Sequence, residues 1–246
     1  MGNIHFSVTG WAAWSANRQT KRAWLDWAGT EESAAAWIDC TPISTPTILR
    51  RRVSPVGQKA LQAAFGLHEI GAARFVLSSR HGEFGRTLTL LKALADGEPL
   101  SPADFSLSVH HALVGLLSIA TKNRLGHTAV AAGRESFGYG LLEAAATAAE
   151  NPGSGVVLMH FDEPLPPEYH GIDGPHEPPL ALALSLKCPA RNACGLRLAM
   201  DPAADGDTPA ASLALEFLSF LLSGTDQGHA VGDRMRWRWS RSHAVA

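Results

Sequence analysis

The residues best placed to do chemistry stand at Gly133-Arg134-Glu135-Ser136, where a run of small residues ends and a helix-forming run begins. A side chain at such a strand-to-helix junction sits beside backbone N–H groups and the positive end of the helix dipole, which favours thiolates and developing oxyanions. The position suits a nucleophile, yet it holds an arginine. Two residues on, Arg134-Glu135-Ser136-Phe137-Gly138 approximates the G-x-S-x-G turn of serine hydrolases, with Arg134 in place of the first glycine. A hydrolase or acyltransferase using Ser136 is therefore an alternative reading. His110, His111 and His127 invite a metal. Neighbouring helical side chains diverge by about 100°, however, and no carboxylate lies three or four residues away, so no metal is expected. These histidines read better as polar residues of an interface or tunnel. His81 and Glu83 could form an acid–base pair, and a loop hydrogen-bond network is the plainer reading.

The elements that must position these residues follow from periodicity. Residues 4–10, Ile-His-Phe-Ser-Val-Thr-Gly, suit a first strand. The tryptophan-rich segment from Trp11 to Trp37 reads as a covering excursion with a short helix around Glu31 to Trp37. Ser54 followed by Pro55 predicts a helix start, with Gly66 or Gly71 near its end. A buried strand over residues 73–79 comes next. A helix from about Glu83 follows, with Leu88, Leu91 and Leu94 on one face. The pattern then predicts a helix over Val109 to Thr121, a strand over His127 to Ala132, a helix over Glu135 to Ala149 and a strand over 155–161. After a proline-rich loop, residues 180–187 and 195–201 read as an antiparallel hairpin, followed by a helix and a final edge strand or tail at Met235 to Arg241. Strands alternating with helices predict an α/β fold: a mixed sheet of five or more strands with helices on both faces.

Composition narrows the function classes. The 246 residues suit one α/β domain, and 46% hydrophobic against 18% charged residues implies a large buried core rather than disorder. The net charge is −2, and Arg50-Arg51-Arg52 is the main basic run, which reads as a solvated face, so no nucleic-acid partner is expected. Cys40, Cys188 and Cys194 form no C-x-x-C pair and imply neither a disulfide framework nor zinc. No apolar run reaches the ~18 residues of a membrane span and the start lacks a secretory pattern, so no membrane span and a cytoplasmic location are expected.

Taken in order, the segments FSVTGWAAW, RRRVSPVGQKALQAA, FVLSSRHGE, SVHHALVGLLSIATKNRLGHTAVAAG and GVVLMHF resemble the amino-terminal half of the β-ketoacyl synthases, of the thiolase fold. More narrowly, they are similar to the β-ketoacyl synthase-like amino-terminal domain proteins of aryl polyene clusters, which act as chain length factors. The resemblance is strongest over residues 1–165 and within 107–145, and the whole chain reads as one such domain, half of a thiolase fold, which 166–246 complete with hairpin, helix and tail.

In that family a catalytic cysteine follows the strand, and Ala132-Gly133-Arg134-Glu135-Ser136 aligns with its motif without gaps, placing Arg134 at the nucleophile position. A second register sets Thr128-Ala129-Val130 there and also lacks cysteine. The family's two catalytic histidines and lysine come from its carboxy-terminal half. Of the histidines this chain has there, His160, His170, His176, His229 and His243, none has the expected surroundings. The resemblance implies a non-catalytic subunit that pairs with a catalytic ketosynthase, as a heterodimer or dimer of heterodimers, contacts the acyl carrier protein indirectly and needs no cofactor. His127 to Gly133, including Thr128 and Val130, would lie at the interface. Phe105, Leu107, His110, His111, Leu113, Val114 and Leu117 would line the partner's acyl tunnel, and Arg134 would be structural, paired with Glu135, with a partner residue or with interface carbonyls.

Overall fold

The computed structural model describes residues 3–33, 35–38, 53–67, 70–169, 171, 178–190 and 193–242. Arg50 to Arg52, Cys40, His170, His176 and His243 lie outside the described residues. The described chain builds one nine-stranded mixed sheet. In chain order its elements are β1 (Ile4–Ser15), α1 (Lys21–Trp27), β2 (Ala36–Trp37), α2 (Pro55–Gly66), β3 (Ala73–Ser78), α3 (Phe84–Ala95), α4 (Pro102–Leu107), α5 (Ala112–Thr121), β4 (His127–Val130), α6 (Ser136–Glu150), β5 (Gly155–Asp162), β6 (Leu180–Lys187), β7 (Gly195–Pro202), α7 (Leu213–Ser223), β8 (Gln227–Val231) and β9 (Met235–Ser242).

The strands lie in the order β4-β3-β5-β6-β1-β7-β9-β8, with β2 beside β1. β3 runs parallel to both β4 and β5, as strands joined through helical crossovers do, and the remaining neighbours on this path pair antiparallel. β3 and β5 are apolar on both faces because helices cover both. On one face Phe75, Leu77, Val157 and Met159 pack with α2 and with Leu113, Val114 and Leu117 of α5. On the other, Val76, Val156 and Leu158 pack with Phe137, Leu141 and Ala144 of α6, and the cluster continues through Phe217 and Leu218 of α7. The predicted mixed sheet with helices on both faces is the observed one.

Local signals locate most helix starts. The Ser54 hydroxyl caps α2 by accepting from the Gly57 N–H at 3.0 Å, with Pro55 opening the helix. Four readings need correction. The helix read near Glu31 to Trp37 is absent: Ala36 and Trp37 pair in parallel with Gly10 and Trp11, and the helix of this segment is α1, capped by Thr20. β1 runs on to Ser15 because Trp11, Ala12 and Ala13 are fully buried between layers. β6 and β7 form no hairpin, since β1 lies between them, pairing with β6 through Ser7 to Ser15 and with β7 through Ile4 to Phe6. Finally, β9 is neither edge nor tail but lies between β7 and β8, its Trp237 and Trp239 buried and Arg238 exposed on the opposite face.

Candidate functional site

The strand-to-helix junction sits at the free side of the sheet. β4 pairs with β3 alone among the described residues, and its chain then turns through Ala131 to Glu135 into α6. Gly133 adopts φ +61°, a left-handed conformation that glycine takes at little cost. The Ser136 hydroxyl staples this turn: it accepts from the Ala132 N–H at 2.9 Å and donates to the Gly133 carbonyl at 2.7 Å. With 1% of its surface exposed, Ser136 is a structural residue here and is not presented as a nucleophile.

Glu135 is equally buried, and its carboxylate turns away from the junction toward the connection between β8 and β9. It accepts from the Met235 N–H at 2.9 Å, the Arg234 N–H at 3.4 Å and the Trp237 indole N–H at 3.4 Å. This acid therefore locks α6 onto the last hairpin. Gly138 permits the same approach one turn later, since a Cβ there would lie 2.5 Å from the Trp237 ring.

Arg134 faces a cavity of about 410 Å³ shared with Arg80 and His81, just beyond β3, and with His160, Asp162 and Glu163 at the end of β5. Phe137, Leu180 and the first turn of α7 give it apolar walls. The C-terminal ends of parallel strands are where α/β sheets place their ligands. His160 is buried, its Nδ1 2.9 Å from the Ser78 hydroxyl and its Nε2 3.3 Å from Asp162. Asp162 accepts from the Arg80 N–H at 2.7 Å. Burial alone would push the Asp162 carboxyl up; His160, the Arg80 N–H and His81 outweigh it and hold the group below its usual value. Glu163 accepts from the Ser54 hydroxyl, and burial is the main cause that raises its carboxyl above the ordinary range.

The structure separates several residues that the sequence groups together. Glu83 accepts from the Ser54 N–H at 2.7 Å and pairs with Arg86 at 3.2 Å, whereas His81 lines the cavity. That is the loop network rather than an acid–base pair. His111 and His127 do meet, with Nε2 atoms 2.8 Å apart and the Ser118 hydroxyl 3.0 Å from the far nitrogen of His127. His110 turns elsewhere, its Nε2 3.3 Å from the Arg80 carbonyl. Among the described residues no three histidine, cysteine or acidic side chains are grouped to hold a metal. Burial, and then the neighbouring His111, lower the His127 pKa.

Leu107, Leu113, Val114 and Leu117 are buried, the last three among this chain's own core residues. Phe105, His111 and Thr128 are exposed, and His110 and Val130 are half-buried. Arg80, Asp162 and Glu163 escaped the sequence reading because their shared position arises only when β3 and β5 pair; the signal was their place just past two apolar strands.

Comparison with known proteins agrees with this architecture. Residues 11–240 match the family described as beta-ketoacyl synthase, N-terminal domain. No curated protein sequence matches. Among solved structures, a chain from the ketosynthase ApeO in complex with its chain length factor ApeC, from Xenorhabdus doucetiae, superposes with a TM-score of 0.80 at 29% identity, over 96% of this chain and 99% of that one. A beta-ketoacyl synthase from Burkholderia phymatum gives 0.60 at 15% identity, over 91% of this chain and 71% of that one. The ishigamide ketosynthase/chain length factor gives 0.61 at 14% identity, over 90% and 74%, and like the Burkholderia structure supports the shared fold. With its mixed sheet, its strand-to-helix junction and a family match across nearly its whole length, this chain belongs to the beta-ketoacyl synthase family through that family's amino-terminal domain.

Proposed function

We propose that this chain is a non-catalytic chain length factor that pairs with a catalytic ketosynthase and shapes the tunnel in which that partner's acyl chain grows. The observation that carries the reading is the junction itself. Arg134 occupies the place where the family resemblance puts the nucleophilic cysteine, and the neighbouring Ser136 is consumed in holding the turn. A guanidinium, protonated at every physiological pH, cannot serve as the attacking group. Cys188 and Cys194 both lie in the β6–β7 connection, outside the strand-to-helix junction.

Pairing is supported by what lies beside the junction. The edge of β4 that is unpaired among the described residues offers backbone N–H and C=O groups, and exposed strand edges are templates for association. Leu91, Leu94, Phe105, Val109, Ile119 and Leu125 are all exposed, along the run from α3 to the α5–β4 connection. Large exposed apolar side chains in consecutive packed elements mark an association surface. The relative from Xenorhabdus doucetiae is a ketosynthase bound to its chain length factor, which is the pairing proposed here.

In this reading Phe105, His110, His111, Thr128 and Val130 reach the partner directly. Leu107, Leu113, Val114 and Leu117 act through the packing that sets the position of α5, and Arg134 is structural. The acyl carrier protein meets the pair through the ketosynthase, and the product is an aryl polyene or a related polyketide-like chain. Reconstitution tests this. The isolated chain should show no condensing activity, while the partner ketosynthase with carrier protein and malonyl donor should make full-length product only when this chain is present. Condensation by this chain alone, or an unchanged product distribution without it, would contradict the proposal.

A further inference from the structure

We propose that His111 and His127 form a two-histidine site for a divalent copper or nickel ion, set between the start of α5 and the edge strand β4. The inference rests on this pair alone and is independent of pairing with a ketosynthase. The two residues are 16 positions apart in the chain and meet because α5 packs beside β4. Their Nε2 atoms stand 2.8 Å apart. Two nitrogens bound at a right angle on one ion, each at ~2.0 Å, are separated by about 2.8 Å, whereas a tetrahedral ion needs about 3.3 Å. The spacing therefore suits the tetragonal geometry that copper and nickel adopt rather than the tetrahedral geometry of zinc. The contact is also bent. A straight N–H···N bond would hold the ring centres about 5 Å apart, and these lie 4.5 Å apart with their planes at 55°.

The surroundings favour ligation. With its Nδ1–H donating to the Ser118 hydroxyl at 3.0 Å, His127 turns its Nε2 lone pair toward His111. Ligating histidines are commonly fixed in this way, through the nitrogen that does not bind the metal. Burial and then His111 lower the His127 pKa, which favours the neutral ring that ligation requires. His111 is exposed and His127 half-buried, so an ion enters from solvent and water fills its remaining positions. On binding, the ion takes the place of the proton that the two Nε2 atoms share, and that proton passes to solvent.

Copper(II) and nickel(II), titrated separately into the full chain, test the assignment. Each should saturate one site in calorimetry, and the copper complex should show coupling to two imidazole nitrogens in its electron paramagnetic resonance spectrum. His111→Gln and His127→Gln should each weaken binding by about tenfold or more and remove one nitrogen coupling. Ser118→Ala, which frees the His127 ring without removing a ligand, should weaken binding by about tenfold and keep both couplings. Circular dichroism checks that each variant is folded; should His127→Gln fail that check, His111→Gln, at an exposed position, carries the same test. Undiminished affinity in the histidine variants would place the ion at other histidines of the chain and overturn the proposal. The absence of saturable binding would overturn it as well.

Discussion

At the scale of single residues, the junction is held by two buried polar side chains with different tasks. Glu135 joins the start of α6 to the β8–β9 turn through the backbone N–H groups of Arg234 and Met235, the Arg234 guanidinium and the buried Trp237 indole. Removing the acceptor strands those donors, so Glu135→Ala should cost about 3 kcal/mol of stability in urea unfolding; a loss within experimental error would show the clasp to be incidental. His127 predicts a pH dependence. Its pKa in the fold is lowered below the ordinary 6.5, by burial first and His111 second. The fold is therefore favoured while His127 is neutral. That contribution is complete above the unfolded value and is lost as pH falls below it through the folded value. Stability should decline as pH falls below the ordinary 6.5, and His127→Gln should flatten that slope. An unchanged slope would assign it to other groups.

At the scale of elements, β4 carries the argument about association. The Phe75 N–H donates to the Gly126 carbonyl at 3.4 Å and the Ser79 N–H to the Val130 carbonyl at 3.2 Å. Alternation along the strand then turns the N–H groups of His127 and Ala129 toward the unpaired edge. Ala129→Pro removes one outward donor and leaves the ladder to β3 intact, so it should keep the thermal melt within a few degrees while weakening pairing by about tenfold or more, read by co-purification yield. Undiminished pairing would move the interface away from β4.

Elements also show what a sequence can disclose. Ser54-Pro55 and the apolar runs at 73–78 and 155–161 place α2, β3 and β5 because a cap, a proline and a continuous apolar stretch are local signals. The alternation of Trp237 and Trp239 with Arg236 and Arg238 reveals a strand with one buried face. It is silent on neighbours, so the insertion of β9 between β7 and β8, and of β1 between β6 and β7, was not legible. The same limit applied to the site. Arg134 stood out through its local motif, whereas Arg80, Asp162 and Glu163 converge only through the parallel pairing of β3 with β5.

At the scale of the whole molecule, the junction that carries Arg134 lies next to a strand edge unpaired among the described residues and a run of exposed apolar side chains, among them Ile119 at 72% exposure. Ile119→Asp places a charge where a partner is expected. It should leave the fold intact and reduce complex formation by about tenfold, because a desolvated, unpaired carboxylate is costly at an interface; normal complex formation would exclude Ile119 from the contact. The central claim is that this chain works as one half of a ketosynthase pair. It is tested most directly by co-expressing a tagged copy with its neighbouring ketosynthase and measuring the intact mass of what is purified. The account predicts one copy of each, or two of each, in a complex that survives gel filtration. A tagged chain that emerges alone as a well-behaved monomer would contradict it.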